Sequence, residues 1–247
     1  MLIAGNWKAY VESGTKAKAL YQGVKRLRAK GAHEVVAAPS FPHLGLLAPA
    51  KAGKTGSGLA AQDVSVTVGG AETGEVTAGL LRDLGVEYVI VGHSERRARG
   101  ESDDVILEKV RHVLAHGLTP ILCIGEASRD QDAQYLKLVR AQLSTVLEGL
   151  SAKERLALVI AYEPVWAIGA SEPITAEDLG EMVLYIKKVL GDFMPGRANQ
   201  KVRILYGGSV APENARGLAA GTGIDGYLVG RASTDLATFS ALVKAVS

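Results

Sequence analysis

The sequence has almost no cysteine, no excess of either charge and no long hydrophobic run. Its one cysteine, Cys123, cannot form an intrachain disulfide, and the apolar run around it indicates a small buried residue rather than a nucleophile. A formal net charge of +2 excludes the basic excess that is typical of nucleic-acid-binding proteins. No apolar span approaches the length of about 18 residues that a membrane helix needs, and no secretory leader pattern follows Met1. We therefore expect a soluble, cytoplasmic protein without membrane or nucleic-acid partners.

What the sequence does contain is eight short apolar runs that alternate with longer segments of helical period. Most of these runs are continuous rather than alternating, which is typical of strands covered on both faces. Eight strand-helix repeats without a linker, in 247 residues, predict one α/β domain over residues 1–247. They favour a closed (β/α)8 barrel of parallel strands over an open doubly wound sheet. The predicted strands are residues 2–4, 35–38, 59–61, 88–91, 121–124, 158–161, 202–206 and 227–229.

Glu163 follows the sixth apolar run, where Pro164 cannot continue a strand. In a barrel of this kind, catalytic groups lie where the strands end. Residues 165–168 are apolar, although a loop at a surface is normally polar. One interpretation is a lid that closes over the carboxylate and excludes water from a base. The other is a capped strand whose Trp166 fills a gap under a neighbouring helix.

His93 follows the fourth run, at the start of a predicted helical turn. Positive potential at the start of a helix disfavours an imidazolium, so the ring would remain neutral and donate a hydrogen bond. The alternative is a surface histidine in a charged turn. Lys8, after the first run, could stabilise an oxyanion or simply be solvated. Asn6 could position Lys8 or only form a turn.

The last two strands end in glycine turns, at residues 207–209 and 230–231. In such barrels these turns can point backbone N–H groups at a phosphate, so a small phosphorylated substrate is the leading class. Residues 221–226 fit the spacing G-x-G-x-x-G, but they precede a strand and do not predict a dinucleotide site. His112 and His116 have no third ligand nearby, and we predict no metal site.

Four segments together, residues 5–8, 92–97, 161–169 and 206–210, resemble the triosephosphate isomerase family. The resemblance extends from Leu2 to beyond Val229. It implies a TIM barrel that interconverts dihydroxyacetone phosphate and glyceraldehyde 3-phosphate in glycolysis and gluconeogenesis, without a cofactor. This family is itself a standard example of pKa tuning, with a glutamate base, a neutral histidine and a closing loop.

The resemblance also implies a role for each candidate residue. Glu163 would move a proton between neighbouring carbons through an enediol(ate), while His93 polarises the carbonyl. Lys8 and Asn6 would stabilise the oxyanion. The supporting residues would be Ser94 and Glu95, the latter beside Lys8 and the histidine. The phosphate would be bound by backbone N–H groups of Gly169, Gly230 and Arg231 and by the turn at Ser209.

The family is usually a homodimer in which the loop after the third strand enters a pocket beside the partner's active site. Thr73 matches the residue that reaches across, which predicts a homodimer. Three features depart from the family pattern: residues 170–174 of the lid, Glu72 on the dimer loop, and Arg231 in place of a second glycine. Two other functions stay open, namely an isomerase of a larger sugar phosphate such as a tetrulose phosphate, and a catalytically silent barrel that binds phosphate or a protein.

Overall fold

In the computed structural model, residues 1–29, 33–49, 56–168 and 174–247 are described. Eight parallel strands form one sheet in the order β2-β1-β8-β7-β6-β5-β4-β3. A parallel bridge between Ala37 and Leu59 joins the two ends of this order, so the sheet closes into a barrel. This arrangement confirms the predicted (β/α)8 fold class. The strands are β1 (Leu2–Asn6), β2 (Glu34–Ala38), β3 (Ala60–Ala61), β4 (Tyr88–Val91), β5 (Thr119–Ile124), β6 (Val159–Tyr162), β7 (Arg203–Tyr206) and β8 (Gly226–Val229).

The helices surround the barrel, and no helix of the described residues is long and apolar enough to cross a membrane. Short 3-10 helices cover Val165–Ala167, Ala198–Lys201 and Arg231–Thr234. The α-helices are α1 (Gly14–Ala29), α2 (Phe41–Leu47), α3 (Ala78–Asp83), α4 (Ser94–Arg97), α5 (Asp103–Ala115), α6 (Gln134–Glu148), α7 (Ala152–Arg155), α8 (Ala176–Phe193), α9 (Pro212–Ala219) and α10 (Leu236–Ala245).

Local sequence signals explain where several helices begin and end. Thr175 caps α8, because its side chain accepts a hydrogen bond from the backbone N–H of Asp178. The same helix continues to Phe193, which packs against the core and holds the last turn. Helix α5 ends at Ala115, just before Gly117, whose φ of +68° suits glycine.

The strands are continuous apolar runs because both of their faces are buried. Alternate residues such as Ala4, Ile90 and Leu205 form a cluster inside the barrel. Their neighbours in the strands, such as Ile3 and Val89, belong to the larger cluster that packs against the helices. Burying each large aliphatic side chain stabilises the fold by about 1.5–3 kcal/mol. The barrel contains many such side chains, and it therefore supports the residues at its rim.

Candidate functional site

Seven residues predicted for the site line one cavity of about 300 Å³ where the strands end. These residues follow strands that are far apart in the sequence. The barrel brings them together because all eight strands run in the same direction, so their ends lie on one side. Gly169, also predicted to bind phosphate, lies outside the described residues. Among the residues that the structure does describe, no cluster of three or more His, Cys, Asp and Glu side chains could hold a metal. The seven are Asn6, Lys8, His93, Glu163, Ser209, Gly230 and Arg231.

The Glu163 carboxylate lies against His93 at the base of this cavity. Its Oε1 is 3.1 Å from His93 Nε2, and both residues are buried, at 2% and 6% exposure. Its Oε2 accepts a hydrogen bond of 3.0 Å from the backbone N–H of Ser94. Two donors therefore hold the carboxylate, which is almost inaccessible to solvent.

His93 is held in one neutral tautomer by the start of helix α4. The backbone N–H of Glu95 donates to His93 Nδ1 over 3.2 Å. A nitrogen that accepts a hydrogen bond carries no proton, so the ring proton is on Nε2 and points at Glu163. The prediction of a neutral, hydrogen-bonding histidine agrees with this geometry, and the alternative of a surface histidine does not, because the residue is buried.

Lys8 adopts a left-handed backbone with φ of +46°, which costs about 1–2 kcal/mol for a residue other than glycine. Two hydrogen bonds hold this turn in place. The Lys8 N–H donates to Asn6 Oδ1 over 3.0 Å, and Gln62 Nε2 donates to the Lys8 carbonyl over 2.9 Å. Gln62 also donates to the Ala38 carbonyl, so it ties the turn to strand β2. The bond from the Lys8 N–H to the Asn6 side chain forms a turn and also fixes the backbone of the lysine, so it is compatible with both interpretations of Asn6.

The Lys8 ammonium pairs with Glu95 across the mouth of the cavity. Lys8 Nζ is 2.6 Å from Glu95 Oε1. Partial burial by itself raises the pKa of Glu95, but the hydrogen bond and charge of Lys8 outweigh it and lower the pKa below its ordinary value. Glu95 is therefore ionised at neutral pH and keeps the lysine over the cavity.

Trp166 is anchored to a fully buried carboxylate, Glu126, at the end of β5. Glu126 Oε1 accepts hydrogen bonds from Trp166 Nε1 at 2.9 Å and from the Tyr162 hydroxyl at 2.8 Å. Burial, followed by the charge of Glu126, raises the pKa of Tyr162 far above its ordinary range, so Tyr162 remains a donor. The Arg129 guanidinium lies 5.1 Å from the Trp166 ring centroid. Trp166 thus packs against the core, whereas closure of the following residues over Glu163 stays a prediction.

Gln142, on helix α6, contributes to the site and was not predicted. Its side chain accepts a hydrogen bond from the Gly125 N–H and donates one to the Gly125 carbonyl, at 2.8 and 3.1 Å. Gly125 packs on the backbone of Glu163 so closely that a Cβ there would lie 1.9 Å from the Glu163 carbonyl oxygen. The sequence contains a signal for this role, because Gln142 is a polar residue on the otherwise apolar stripe of Val139, Leu143 and Val146.

Cys123 is completely buried next to the site. Burial, and then the charge of Glu163, raise the pKa of its thiol well above the ordinary value. The prediction of a buried cysteine is therefore confirmed. Thr73 lies elsewhere, on an exposed loop, apart from the residues that line the cavity.

Comparison with known proteins agrees with this geometry. The sequence profile of the triosephosphate isomerase family matches residues 1–246. The triosephosphate isomerase of Roseiflexus castenholzii is 44% identical over 249 residues, which covers 100% of this chain and 97% of that protein. The enzyme of Thermus thermophilus is 43% identical, with 99% and 98% covered. That of Carboxydothermus hydrogenoformans is 41% identical, with 98% and 97% covered. The chain belongs to the triosephosphate isomerase family.

Proposed function

We propose that this protein interconverts dihydroxyacetone phosphate and glyceraldehyde 3-phosphate, without a cofactor, as a step of glycolysis and gluconeogenesis. The observation that carries the proposal is the contact of 3.1 Å between the Glu163 carboxylate and His93 Nε2 in a buried cavity beside Lys8. A carboxylate, a neutral hydrogen-bond donor and a cation are the groups that proton transfer next to a carbonyl requires.

Each group has a separate task in the reaction. Glu163 removes a proton from the carbon beside the carbonyl, and the electron pair moves onto the carbonyl oxygen to form an enediolate. His93 donates its Nε2 proton in a hydrogen bond to that oxygen, while Lys8 and Asn6 stabilise the negative charge. His93 then moves the proton of the neighbouring hydroxyl onto the enediolate oxygen, so the negative charge passes to the other oxygen. The protonated Glu163 returns its proton to the neighbouring carbon as that other oxygen becomes the new carbonyl. No electron leaves or enters the substrate, so the isomerisation needs no redox partner.

Substrate binding must change the contact between Glu163 and His93. One Nε2–H cannot donate fully to Glu163 and to a substrate oxygen at once, so the substrate oxygen displaces the carboxylate. Gly207 leaves room for this movement, because a Cβ there would lie 2.9 Å from Glu163 Cγ. The displaced carboxylate then moves from the Ser94 N–H toward the substrate carbon.

The phosphate lies at the side of the cavity formed by the Ser209 turn, Gly230 and Arg231. Backbone N–H groups bind it without adding bulk. Gly169, whose N–H would complete this shell, lies outside the described residues, as do residues 170–173 of the lid.

An assay coupled to a dehydrogenase tests the function, with each triose phosphate and with a tetrulose phosphate as substrates. We expect turnover of both triose phosphates and a lower kcat/KM for the larger sugar. Faster turnover of the tetrulose phosphate would support the alternative isomerase. Absence of turnover with all three would leave the silent barrel as the better description.

We also propose that the protein is a homodimer. The loop at residues 66–75 projects from the barrel and exposes two apolar side chains, Val66 at 46% and Val68 at 75%. A second cavity of about 230 Å³ lies beside the active site. Its lining includes Lys8 and Glu95, and also Arg99, which would face the acidic Glu72 of the partner's loop. This charge match offers a reason for Glu72 where the family often has an apolar residue.

Replacing Thr73 with arginine is expected to convert the dimer to monomers, because a long charged side chain cannot enter the cavity of the partner. Sedimentation velocity at micromolar concentration measures this change. Leu184→Arg, at an exposed position of helix α8, is the matched control and should leave the protein dimeric. A wild-type protein that sediments only as a monomer would contradict the proposal.

Replacing Gln142 with leucine is expected to lower kcat about tenfold with a small change in KM, because Glu163 loses its backbone support and is misplaced in the transition state. Thr145→Ala is the control on the same helix, since the Thr145 hydroxyl bonds only within α6. Separate kcat and KM values, with thermal unfolding of each variant, check this prediction. An unaltered kcat for Gln142→Leu, at equal stability, would show that Gln142 has no positioning role.

A further inference from the structure

Arg231 is one of the residues that line the active-site cavity. Its guanidinium carbon lies 5.4 Å from the ring centroid of Tyr10, which also lines the cavity. Tyr10 is 47% exposed, so the pair stands at the mouth of the cavity and not in the core. The contact with the ring is a cation–π interaction that holds the guanidinium at the cavity mouth.

The charge of Arg231 is not matched in the way that the charge of Lys8 is. Lys8 Nζ is 2.6 Å from the Glu95 carboxylate, so much of its charge is balanced. In the described part of the chain, other arginines form ion pairs with carboxylates, whereas Arg231 contacts an aromatic ring. A guanidinium stacked on a ring keeps its N–H groups available at its edge, because the contact uses its face.

We propose that the Arg231 guanidinium is a second recognition element for the phosphate dianion, in addition to the backbone N–H groups of its turn. This inference rests on the proposed function and deepens it. A planar guanidinium presents two parallel N–H groups, which match two phosphate oxygens in a way that an ammonium does not. Tyr10 holds the guanidinium at the mouth of the cavity, so less side-chain freedom is lost when the anion binds.

The position of Arg231 determines which kinetic constant it affects. The guanidinium contacts the phosphate, which does not react, and so it binds the substrate and the transition state equally. Uniform binding of this kind lowers KM and leaves the chemical step nearly unaffected. The same contact binds inorganic phosphate, which therefore competes with the substrate. A charge at the cavity mouth also attracts dianions from solution, an effect that salt weakens.

The test uses four variants of the site and one control variant, all in the full chain. Arg231→Gln removes the charge and keeps the backbone N–H, and Arg231→Lys keeps the charge without the planar pair of donors. Tyr10→Leu removes the ring, and Tyr10→Phe keeps it. Arg26→Gln, on the exposed face of helix α1, is the control for the loss of one positive charge elsewhere. The measurements are kcat and KM with both triose phosphates, the inhibition constant of inorganic phosphate, and kcat/KM as a function of ionic strength.

We expect Arg231→Gln to raise KM and the phosphate inhibition constant together by about three- to tenfold, the range for one partly exposed charge-assisted contact. Its kcat should fall less than twofold, and its kcat/KM should depend less on salt than that of Arg26→Gln. Arg231→Lys should fall between wild type and Arg231→Gln, and Tyr10→Leu should lose more than Tyr10→Phe.

Two results would overturn the inference. One is an Arg231→Gln variant with the KM, inhibition constant and salt dependence of the Arg26→Gln control. The other is a lower kcat with unaltered phosphate binding, which would indicate a structural role for the side chain. A wild-type protein that turns over neither triose phosphate overturns the proposed function instead. In that case, calorimetric titration of inorganic phosphate into wild type and Arg231→Gln tests the inference without the reaction. Equal phosphate affinity of the two proteins, or no phosphate binding by wild type, would contradict it.

Discussion

Replacing Glu163 with aspartate is expected to lower kcat for both triose phosphates by about 10²-fold or more. The shorter side chain withdraws the carboxylate from the substrate carbon by one methylene, while the charge and the acidity of the group stay similar. A base that must contact its proton at hydrogen-bond distance cannot tolerate such a displacement. The surrounding frame cannot follow, because the Glu163 N–H is bonded to the Ile124 carbonyl over 2.8 Å and the residue is buried.

The effect is measured in the coupled assay and by exchange of the carbon-bound substrate hydrogen with deuterium from the solvent. Both rates should fall together if Glu163 transfers the proton. Glu177→Asp, in the exposed first turn of α8, removes the same methylene and should retain wild-type rates. A rate for Glu163→Asp close to that of this control would exclude Glu163 as the base.

Replacing Glu101 with leucine is expected to lower the free energy of unfolding by about 3–5 kcal/mol, because it breaks a buried ion-pair cluster. Lys109, at 3% exposure, pairs with Glu101 and with Asp63, the latter at 2.7 Å. Arg96 pairs with the same Glu101 oxygen at 2.6 Å. Without Glu101, a buried ammonium keeps one of its two carboxylate partners. Urea unfolding of wild type and variant measures the loss.

The chain offers a matched control on helix α5. Glu108 forms an ion pair with Arg111, but both side chains are about half exposed, at 49% and 45%. Water replaces such a pair easily, so Glu108→Leu should cost less than about 1 kcal/mol. Equal losses for the two variants would mean that burial does not distinguish the two ion pairs.

The Glu101 cluster also predicts how stability depends on pH. Burial alone raises the pKa of Glu101, but hydrogen bonds and charges of Lys109 and Arg96 outweigh it, and the pKa lies below its ordinary value of 4.5. A group with a lowered folded-state pKa stabilises the protein fully above the unfolded value and loses this contribution as the pH falls through the folded value. Stability should therefore decline below about pH 4.5, and less steeply for Glu101→Leu than for wild type. The free energy of unfolding of both proteins is measured between about pH 6 and pH 3, a range that spans the ordinary carboxyl pKa of about 4. Equal losses of stability in wild type and Glu101→Leu over this range would contradict the prediction.

The sequence by itself determined the architecture and the identity of the residues at the rim. Each predicted strand lies within or overlaps an observed strand, because continuous apolar runs bounded by turns are a local pattern that the chain records directly. Eight of them in repeated strand-helix order favour the barrel over an open sheet, and the barrel places Lys8, His93 and Glu163 at one end. Their roles stay predictions until the assays are made.

Only the tertiary structure decided how these groups are held. The Ser94 N–H and the Glu163 carboxylate are 69 positions apart in the chain, and Lys8 and Glu95 are 87 apart. No local pattern records such contacts, because they depend on how strands from different repeats lie side by side. The same reason applies to the support of Glu163 by Gln142 and to the anchoring of Trp166 by Glu126. The stacking of Arg231 on Tyr10 likewise exists because β1 and β8 are neighbours, which brings the two ends of the chain to one side of the cavity.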